Sequence, residues 1–296
     1  MFSKSSWLHL RIPFSFFLMP VYFFALAISP NLTEKRLLWS FIIIHLFLYP
    51  ASNGYNSYFD KDEGSIGGLK TPPPVKTGLY YLSLLFDAVA IVLGWIKVGM
   101  LFAMMLLVYG LVSKAYSHPA IRLKKYPILG WLTIGVFQGF FTFLMSYAGI
   151  NHFELENLLQ FKVLIPALLS TALLLGSYPM TQVYQHDEDG KRGDVTFSRI
   201  LGVRGTFYFV LIVFSLASGG FVWYFRSFHS ATYAIYFLMA MLPVVLYFLF
   251  WFWRVLRDES KANYSSTMVL NFLSALCLNT FFIGFWLHST NVWQTF

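Results

Sequence analysis

Two stretches of the sequence concentrate carboxylate and amide side chains at helical spacing. The first acidic segment, Asn53 to Gly64, carries Asn56 and Asp60 four residues apart, so both lie on one helical face. Hard cations such as Mg²⁺ bind a few oxygens of this kind together with water and phosphate oxygens. The side chains of this segment that we predict to bind Mg²⁺ are Asn56, Asp60, Asp62 and Glu63.

The second acidic segment, Gln182 to Asp194, repeats the pattern later in the chain. Gln182, Gln185 and Asp189 again stand at helical spacing. Two converging sets of oxygen ligands can hold Mg²⁺ against a diphosphate. The side chains of this segment that we predict to bind the metal are Gln185, Asp187 and Asp189.

A site of this composition suits a reaction in which a diphosphate leaves. Metal ions neutralise the charge that grows on the leaving oxygens, and no protonated acid is then needed. We therefore predict catalytic roles for Asp60 and Asp189. Ammonium and guanidinium groups can also bind phosphate oxygens directly. The cations that we predict to bind the diphosphate are Lys70, Arg122, Lys124 and Lys191.

One further acid, Asp87, lies inside an apolar run. Ionisable residues within membrane-spanning segments are candidates for function, so we predict a catalytic role in which Asp87 orients or deprotonates an acceptor. The alternative is that Asp87 pairs with a helix neighbour such as Lys114 or Gln138.

The composition indicates which elements must position these residues. Hydrophobic residues make up 57% of the chain and charged residues only 11%, against about 25% charged in an average soluble domain. We predict an all-α, polytopic membrane protein that forms a single domain over residues 1–296. Apolar runs long enough to cross a bilayer predict nine helices, over 13–30, 38–59, 78–97, 99–117, 127–149, 161–185, 205–225, 232–253 and 266–288.

These helices put both acidic segments on one membrane face, at the ends of the second and sixth helices. That face carries 16 of the 21 Lys and Arg residues, and the positive-inside rule makes it cytoplasmic, together with the N-terminus. We predict a multi-pass protein of the cell (inner) membrane. The net charge of +8 is dispersed over loops, which argues against nucleic-acid binding. The opposite face holds only Lys35, Arg36, Lys97, Lys162 and Arg226.

The two segments resemble the motifs of the UbiA superfamily of intramembrane prenyltransferases. Those motifs are Asn-x-x-x-Asp-x-x-x-Asp after the second helix and Asp-x-x-x-Asp after the sixth. Asn56, Asp60 and Asp189 match them, whereas Gly64 and Gln185 stand where the motifs have aspartate. Other stretches that resemble the family are Arg11-Ile-Pro13, Lys70-Thr-Pro72, Tyr116 to Gly130, Asp189 to Thr196 and Leu201-Gly202.

The resemblance implies a UbiA-like helical bundle that transfers a prenyl chain, with Mg²⁺, from a polyprenyl diphosphate to a hydrophobic, often aromatic, acceptor within the membrane. We expect Arg11 and Asn53 to contact the substrate. Acids or amides that could replace the two missing aspartates are Asp62 and Glu63 in the first segment, and Gln182, Asp187 and Glu188 in the second.

Two other functions remain open from the sequence. The two missing aspartates are also expected of a non-catalytic relative that binds prenyl lipids or scaffolds partner proteins. A membrane transporter would use the acids as a cation or substrate path. A transporter predicts acids at many membrane depths, whereas seven of the 13 acids fall in the two acidic segments.

Overall fold

The computed structural model describes residues 3–290, and the chain folds there as a helical bundle. Within that range nine helices are long and apolar enough to cross a membrane, which confirms the predicted fold class and number. The nine helices are α1 Lys4–Ala27, α2 Glu34–Asp60, α3 Gly78–Lys97, α4 Met100–Ser117, α5 Pro127–Asn151, α6 Phe161–Thr181, α7 Phe197–Phe228, α8 Ala231–Arg257 and α9 Tyr264–Ser289.

The bundle closes because its last helix packs on its first. Most consecutive helices pack against each other, α9 packs along α1, and α1 also contacts α5. Aromatic rings fill the centre, where Phe24 stacks on Phe282 with ring centroids 4.5 Å apart. Large apolar side chains also face outward: Leu216 is 71% and Met239 is 65% exposed. An apolar exterior of this kind suits contact with lipid.

The first acidic segment begins on an α-helix that runs without a break from Tyr49 to Asp60. A π-helical turn, Ile43–Leu48, interrupts α2 early, and the α-helix then resumes as far as Asp60. Lys61 adopts a left-handed conformation with φ 50° and ends the helix. Asn56 and Asp60 therefore share a face, as their spacing predicts.

The prediction of one helix over 161–185 is wrong in its last part. α6 tightens into a 3₁₀ turn, Tyr178–Thr181, and ends there. Pro179 has no backbone N–H to donate, which favours this ending. A separate short helix, His186–Arg192, then begins. Gln182 and Asp189 therefore do not lie on one continuous helix, although the spacing of the second acidic segment suggested it.

The starts of two helices also differ from the prediction. α1 begins at Lys4 rather than 13, because the Ser3 hydroxyl accepts a hydrogen bond from a backbone amide of the first turn at 3.2 Å. Arg11, with φ 48°, then breaks the α-helical geometry within α1. α7 begins at Phe197 rather than 205 and contains a non-helical Gly202. Hydropathy missed both starts because their first turns contain polar residues.

Candidate functional site

A polar cavity of about 210 Å³ lies where the ends of α2, α4 and α6 meet. Both acidic segments contribute residues to its wall. The predicted site residues that line it are Arg11, Asn53, Asn56, Asp60, Asp62, Lys124, Gln185 and Asp189.

The polar cavity adjoins an apolar cavity of about 270 Å³, and the two share part of their lining. Phe14, Asn53, Gln138, Tyr178 and Thr181 line both cavities and define the junction between them. A ligand can therefore place a polar head in one cavity and an apolar chain in the other. Apolar residues that line the second cavity include Phe17, Phe24, Phe214, Val244, Phe248 and Leu278.

Asp60, at the end of α2, is held by cations from the loop after α4. Lys124 Nζ donates to Asp60 Oδ1 and lies 3.3 Å from Asn56 Oδ1. Arg122 Nη2 lies 3.7 Å from Asp60 Oδ1. Asn56 Oδ1 also accepts a hydrogen bond from the Ser117 hydroxyl at 2.7 Å. Because only 6% of the Asp60 side chain is exposed, these cations must balance its charge.

Arg192 connects the two acidic segments. Its Nη1 donates to Asp62 Oδ1, and its Nη2 donates to Asp189 Oδ1 at 2.9 Å. Its Nε lies 4.0 Å from Asp194 Oδ2. Asp194 in turn accepts two hydrogen bonds from Arg122, at 3.1 and 2.8 Å. The acids of both segments and the cations beside them thus form one ion-pair network on the cavity wall.

Burial raises the pKa of two of these acids, whereas hydrogen bonds and nearby cations outweigh burial at a third. Burial raises the pKa of Asp189 to about 6, although the Arg192 guanidinium acts in the opposite direction. Burial also raises the pKa of Asp62. At Asp194 burial acts upward as well, but the hydrogen bonds and charge of Arg122 outweigh it and hold the pKa below its usual value. Burial therefore makes the Asp189 carboxyl group harder to ionise than that of an exposed aspartate.

Several buried polar atoms on the cavity wall have no hydrogen-bond partner within the described residues. An unsatisfied buried polar group costs about 1–3 kcal/mol, so such atoms mark a place for a polar ligand. The amide oxygen of Gln182 can bind a hard cation, and so can the carboxylates on the same cavity wall. The composition of this donor set therefore fits Mg²⁺. The unpartnered atoms are Arg11 Nε, Gln182 Oε1, Arg192 Nε and Thr196 Oγ1.

Three predicted site residues line a different pocket from the polar cavity. Glu63, Asp187 and Lys191 are exposed and line an outer pocket at the same face. Their predicted roles as metal ligands and phosphate contact have no support from this position. Between residues 3 and 290, no group of three or more His, Cys, Asp or Glu side chains is arranged to hold a metal ion. A metal here therefore needs amide and substrate oxygens as well.

Three other predicted site residues do not line the polar cavity. Asp87 is bonded to Lys114, the pairing that the sequence offered as an alternative, and it lines neither the two cavities nor the outer pocket, so its catalytic role stays a prediction. Lys70 is exposed and does not line the polar cavity either. Arg122 reaches the site through its ion pairs with Asp60 and Asp194 rather than as a lining residue.

Sequence reasoning did not include Arg192, Asp194 and Thr196 among the site residues. All three line the polar cavity. A signal was present, because they follow Asp189 within the stretch that resembles the superfamily. Their charge pairing depends on the fold of the short helix and could not be derived from spacing.

Solved structures with the same fold were found over nearly the whole chain. A UbiA homologue from Archaeoglobus fulgidus bound to DMAPP and Mg²⁺ has a TM-score of 0.68 at 15% identity, covering 96% of this chain and 99% of that one. A structure of a UbiA homologue from the same organism bound to GPP and Mg²⁺ has a TM-score of 0.65 at 16% identity, covering 95% and 99%. A digeranylgeranylglyceryl phosphate synthase has a TM-score of 0.59 at 18% identity, covering 95% and 98%.

The sequence comparisons give the family directly. No curated protein sequence matches the chain. The family model described as the UbiA prenyltransferase family matches residues 17–276, which include both acidic segments and the loop that supplies Arg122 and Lys124. Since the match spans most of the chain, this protein belongs to the UbiA prenyltransferase family.

Proposed function

We propose that this protein transfers a prenyl chain, with Mg²⁺, from a polyprenyl diphosphate to a hydrophobic, often aromatic, acceptor within the membrane. The observation that carries the proposal is that the polar cavity and the apolar cavity adjoin and share lining residues. A prenyl diphosphate has the same two parts, a charged head and an apolar chain. The Archaeoglobus fulgidus structures with DMAPP or GPP and Mg²⁺ support the same substrate class.

The carboxylates and amides of the polar cavity would hold the metal. Asn56, Asp60, Gln182 and Asp189 would supply the oxygens, and the chemistry that Mg²⁺ would contribute there is neutralisation of charge on the leaving diphosphate. Lys124 and its neighbouring arginines lie beside these carboxylates, so their charge is available to phosphate oxygens in the same space.

The junction would place the reacting carbon of the donor. Phe14 and Tyr178 line both cavities there, and the π-face of an aromatic ring attracts positive charge that develops on an allylic carbon. The apolar walls beyond the junction exclude water, which would otherwise compete with the acceptor. Asn53 and Gln138 are the polar groups at this position that can orient an acceptor.

The proposal includes an orientation and a location. We propose a multi-pass protein of the cell membrane with one domain over residues 1–296. The N-terminus would lie in the cytoplasm, because it shares a membrane face with 16 of the 21 Lys and Arg residues. The diphosphate would then arrive from the cytoplasm at the ends of α2 and α6.

The test uses the full chain in lipid vesicles with labelled prenyl diphosphates, Mg²⁺ and an extract of membrane lipids as the source of acceptor. We expect label in a lipid-soluble product and release of pyrophosphate, both abolished by EDTA and by Asp60→Ala. Asp258→Asn is the matched control, since that aspartate is about half exposed and lies outside the cavities. Donor that binds but is never consumed would favour the non-catalytic relative and overturn the proposal.

A further inference from the structure

One contact between the two acidic segments involves a carboxylate that lines neither the polar nor the apolar cavity. Glu188 Oε1 accepts hydrogen bonds from the backbone amides of Glu63, at 2.9 Å, and of Gly64, at 3.1 Å. Hydrogen bonds to an ionised acceptor are roughly twice as strong as bonds between neutral groups. The contact joins the chain just past the end of α2 to the short helix that follows α6.

The contact depends on the absence of a side chain at position 64. A Cβ built on Gly64 would overlap Glu188 Oε2 and lie 3.2 Å from Glu188 Cδ. Gly64 does not have a positive φ, so backbone freedom does not explain a glycine there. The carboxylate of Glu188 occupies the space that a side chain at Gly64 would need.

Glu188 also lies next to the residues that connect the two segments. It directly precedes Asp189 and stands four residues before Arg192 on the same short helix. The amides that it binds belong to the two residues that follow Asp62. Because Arg192 must reach Asp62 and Asp189 at once, the separation of the short helix from the end of α2 decides whether this bridge forms.

We propose that Glu188 is a positioning residue that holds the second acidic segment against the first and so sets the separation of the carboxylates around the polar cavity. Its effect on ligand binding rests on the proposed function, whereas the contact itself does not. Gln185 Nε2 donates to the Ser65 carbonyl at 3.1 Å and adds a weaker, neutral contact between the same two segments.

The first experiment measures hydrogen exchange at the backbone amides of Glu63 and Gly64 in the full chain, in nanodiscs, with fragmentation that resolves single amides. We expect Glu188→Ala to speed exchange at both amides about tenfold. Glu188→Gln should keep most of the protection, because its amide oxygen can accept the same two bonds. Asp187→Ala, which removes an exposed acid from the same helix, should leave both rates unchanged.

Gly64→Ala provides an independent arm of the same experiment. Because the overlapping atom is the end of a flexible side chain, the new methyl should displace the Glu188 carboxylate and expose the amide of Glu63 as Glu188→Ala does. In a Glu188→Ala background the added methyl should then change little. Unaltered exchange at Glu63 in Glu188→Ala, or full additivity of the two substitutions, would overturn the proposal.

The second experiment separates positioning from simple structural support by measuring the binding of pyrophosphate in the presence of Mg²⁺. We expect Glu188→Ala to weaken binding about tenfold and Glu188→Gln to restore it to within about threefold of the unsubstituted protein. Faster exchange with unchanged pyrophosphate affinity would refute the positioning role. Failure of the unsubstituted protein to bind pyrophosphate would count against the proposed function, while the exchange rates would still decide whether the contact exists.

Discussion

The two helix ends that carry the acidic segments are built in different ways. α2 runs to Asp60 before it ends, so the register of the helix alone places Asn56 beside Asp60. α6 ends at Thr181, and Asp189 reaches the cavity on a separate short helix. The first half of the site is therefore fixed by one element. The second half depends on contacts with the first, and the variants below test this difference.

The largest expected effect comes from removing Asp60. Asp60→Ala leaves Lys124 without its carboxylate partner and removes a predicted metal ligand, so prenyl transfer should fall about 10³-fold. Asp189→Ala should also abolish most transfer, since it supplies a second ligand. Rates of product formation at saturating Mg²⁺ measure both. If Asp60→Ala is as active as the unsubstituted protein, the prediction that Asp60 binds the metal is wrong.

The Arg192→Ala variant tests whether the second acidic segment depends on its contacts with the first. Arg192→Ala breaks pairs with Asp62 and Asp189 that are largely buried, so the free energy of unfolding should fall by about 3 kcal/mol and transfer by about 10²-fold. Unfolding in detergent micelles provides the measurement. Arg204→Ala is the control: its pair with Glu259 is about half exposed and should contribute less than about 1 kcal/mol. Equal losses in the two variants would contradict the bridging role.

The pH dependence should come from the second half. Because burial raises the pKa of Asp189 to about 6, its carboxylate is lost as the pH falls through that value, and the Mg²⁺ concentration for half-maximal activity should then rise. The sign for stability is opposite: the folded protein binds this proton more tightly than the unfolded chain, so Asp189 favours folding more as the pH falls from about 6 towards 3.8. Asp189→Asn should remove the change near pH 6 from the pH dependence of the free energy of unfolding, measured in detergent micelles. A change that persists in this variant must come from another group.

The smallest expected effect on activity is at Asp87. Asp87→Asn should change the transfer rate by no more than about twofold, because the side chain lines none of the cavities. The variant should still lose stability, since Lys114 would be left without its partner. Parallel measurement of transfer rate and unfolding separates the two effects. A tenfold loss of transfer in a stable protein would support the catalytic role predicted from the sequence.

Much of the fold could be predicted because membrane-spanning helices need long apolar runs, which are visible in the sequence. The first acidic segment could be predicted for a similar reason, since helical spacing holds through Asp60. α6 ends in the 3₁₀ turn that contains Pro179, so helical spacing does not hold across the second acidic segment. The prediction that Gln182 and Asp189 share one helical face was therefore wrong. The contact between Glu188 and Gly64 joins positions 124 residues apart, which no local pattern encodes.

The junction between the two cavities has a kinetic consequence under the proposed function. The protein would act as a catalyst between two phases, taking one reactant from water and the other from lipid. The rate would depend on the molar concentration of the donor in water and on the mole fraction of the acceptor in the bilayer. Adding inert lipid to the vesicles should then lower the rate although the total amounts of protein, donor and acceptor stay the same. Pyrophosphate should inhibit only from the aqueous phase.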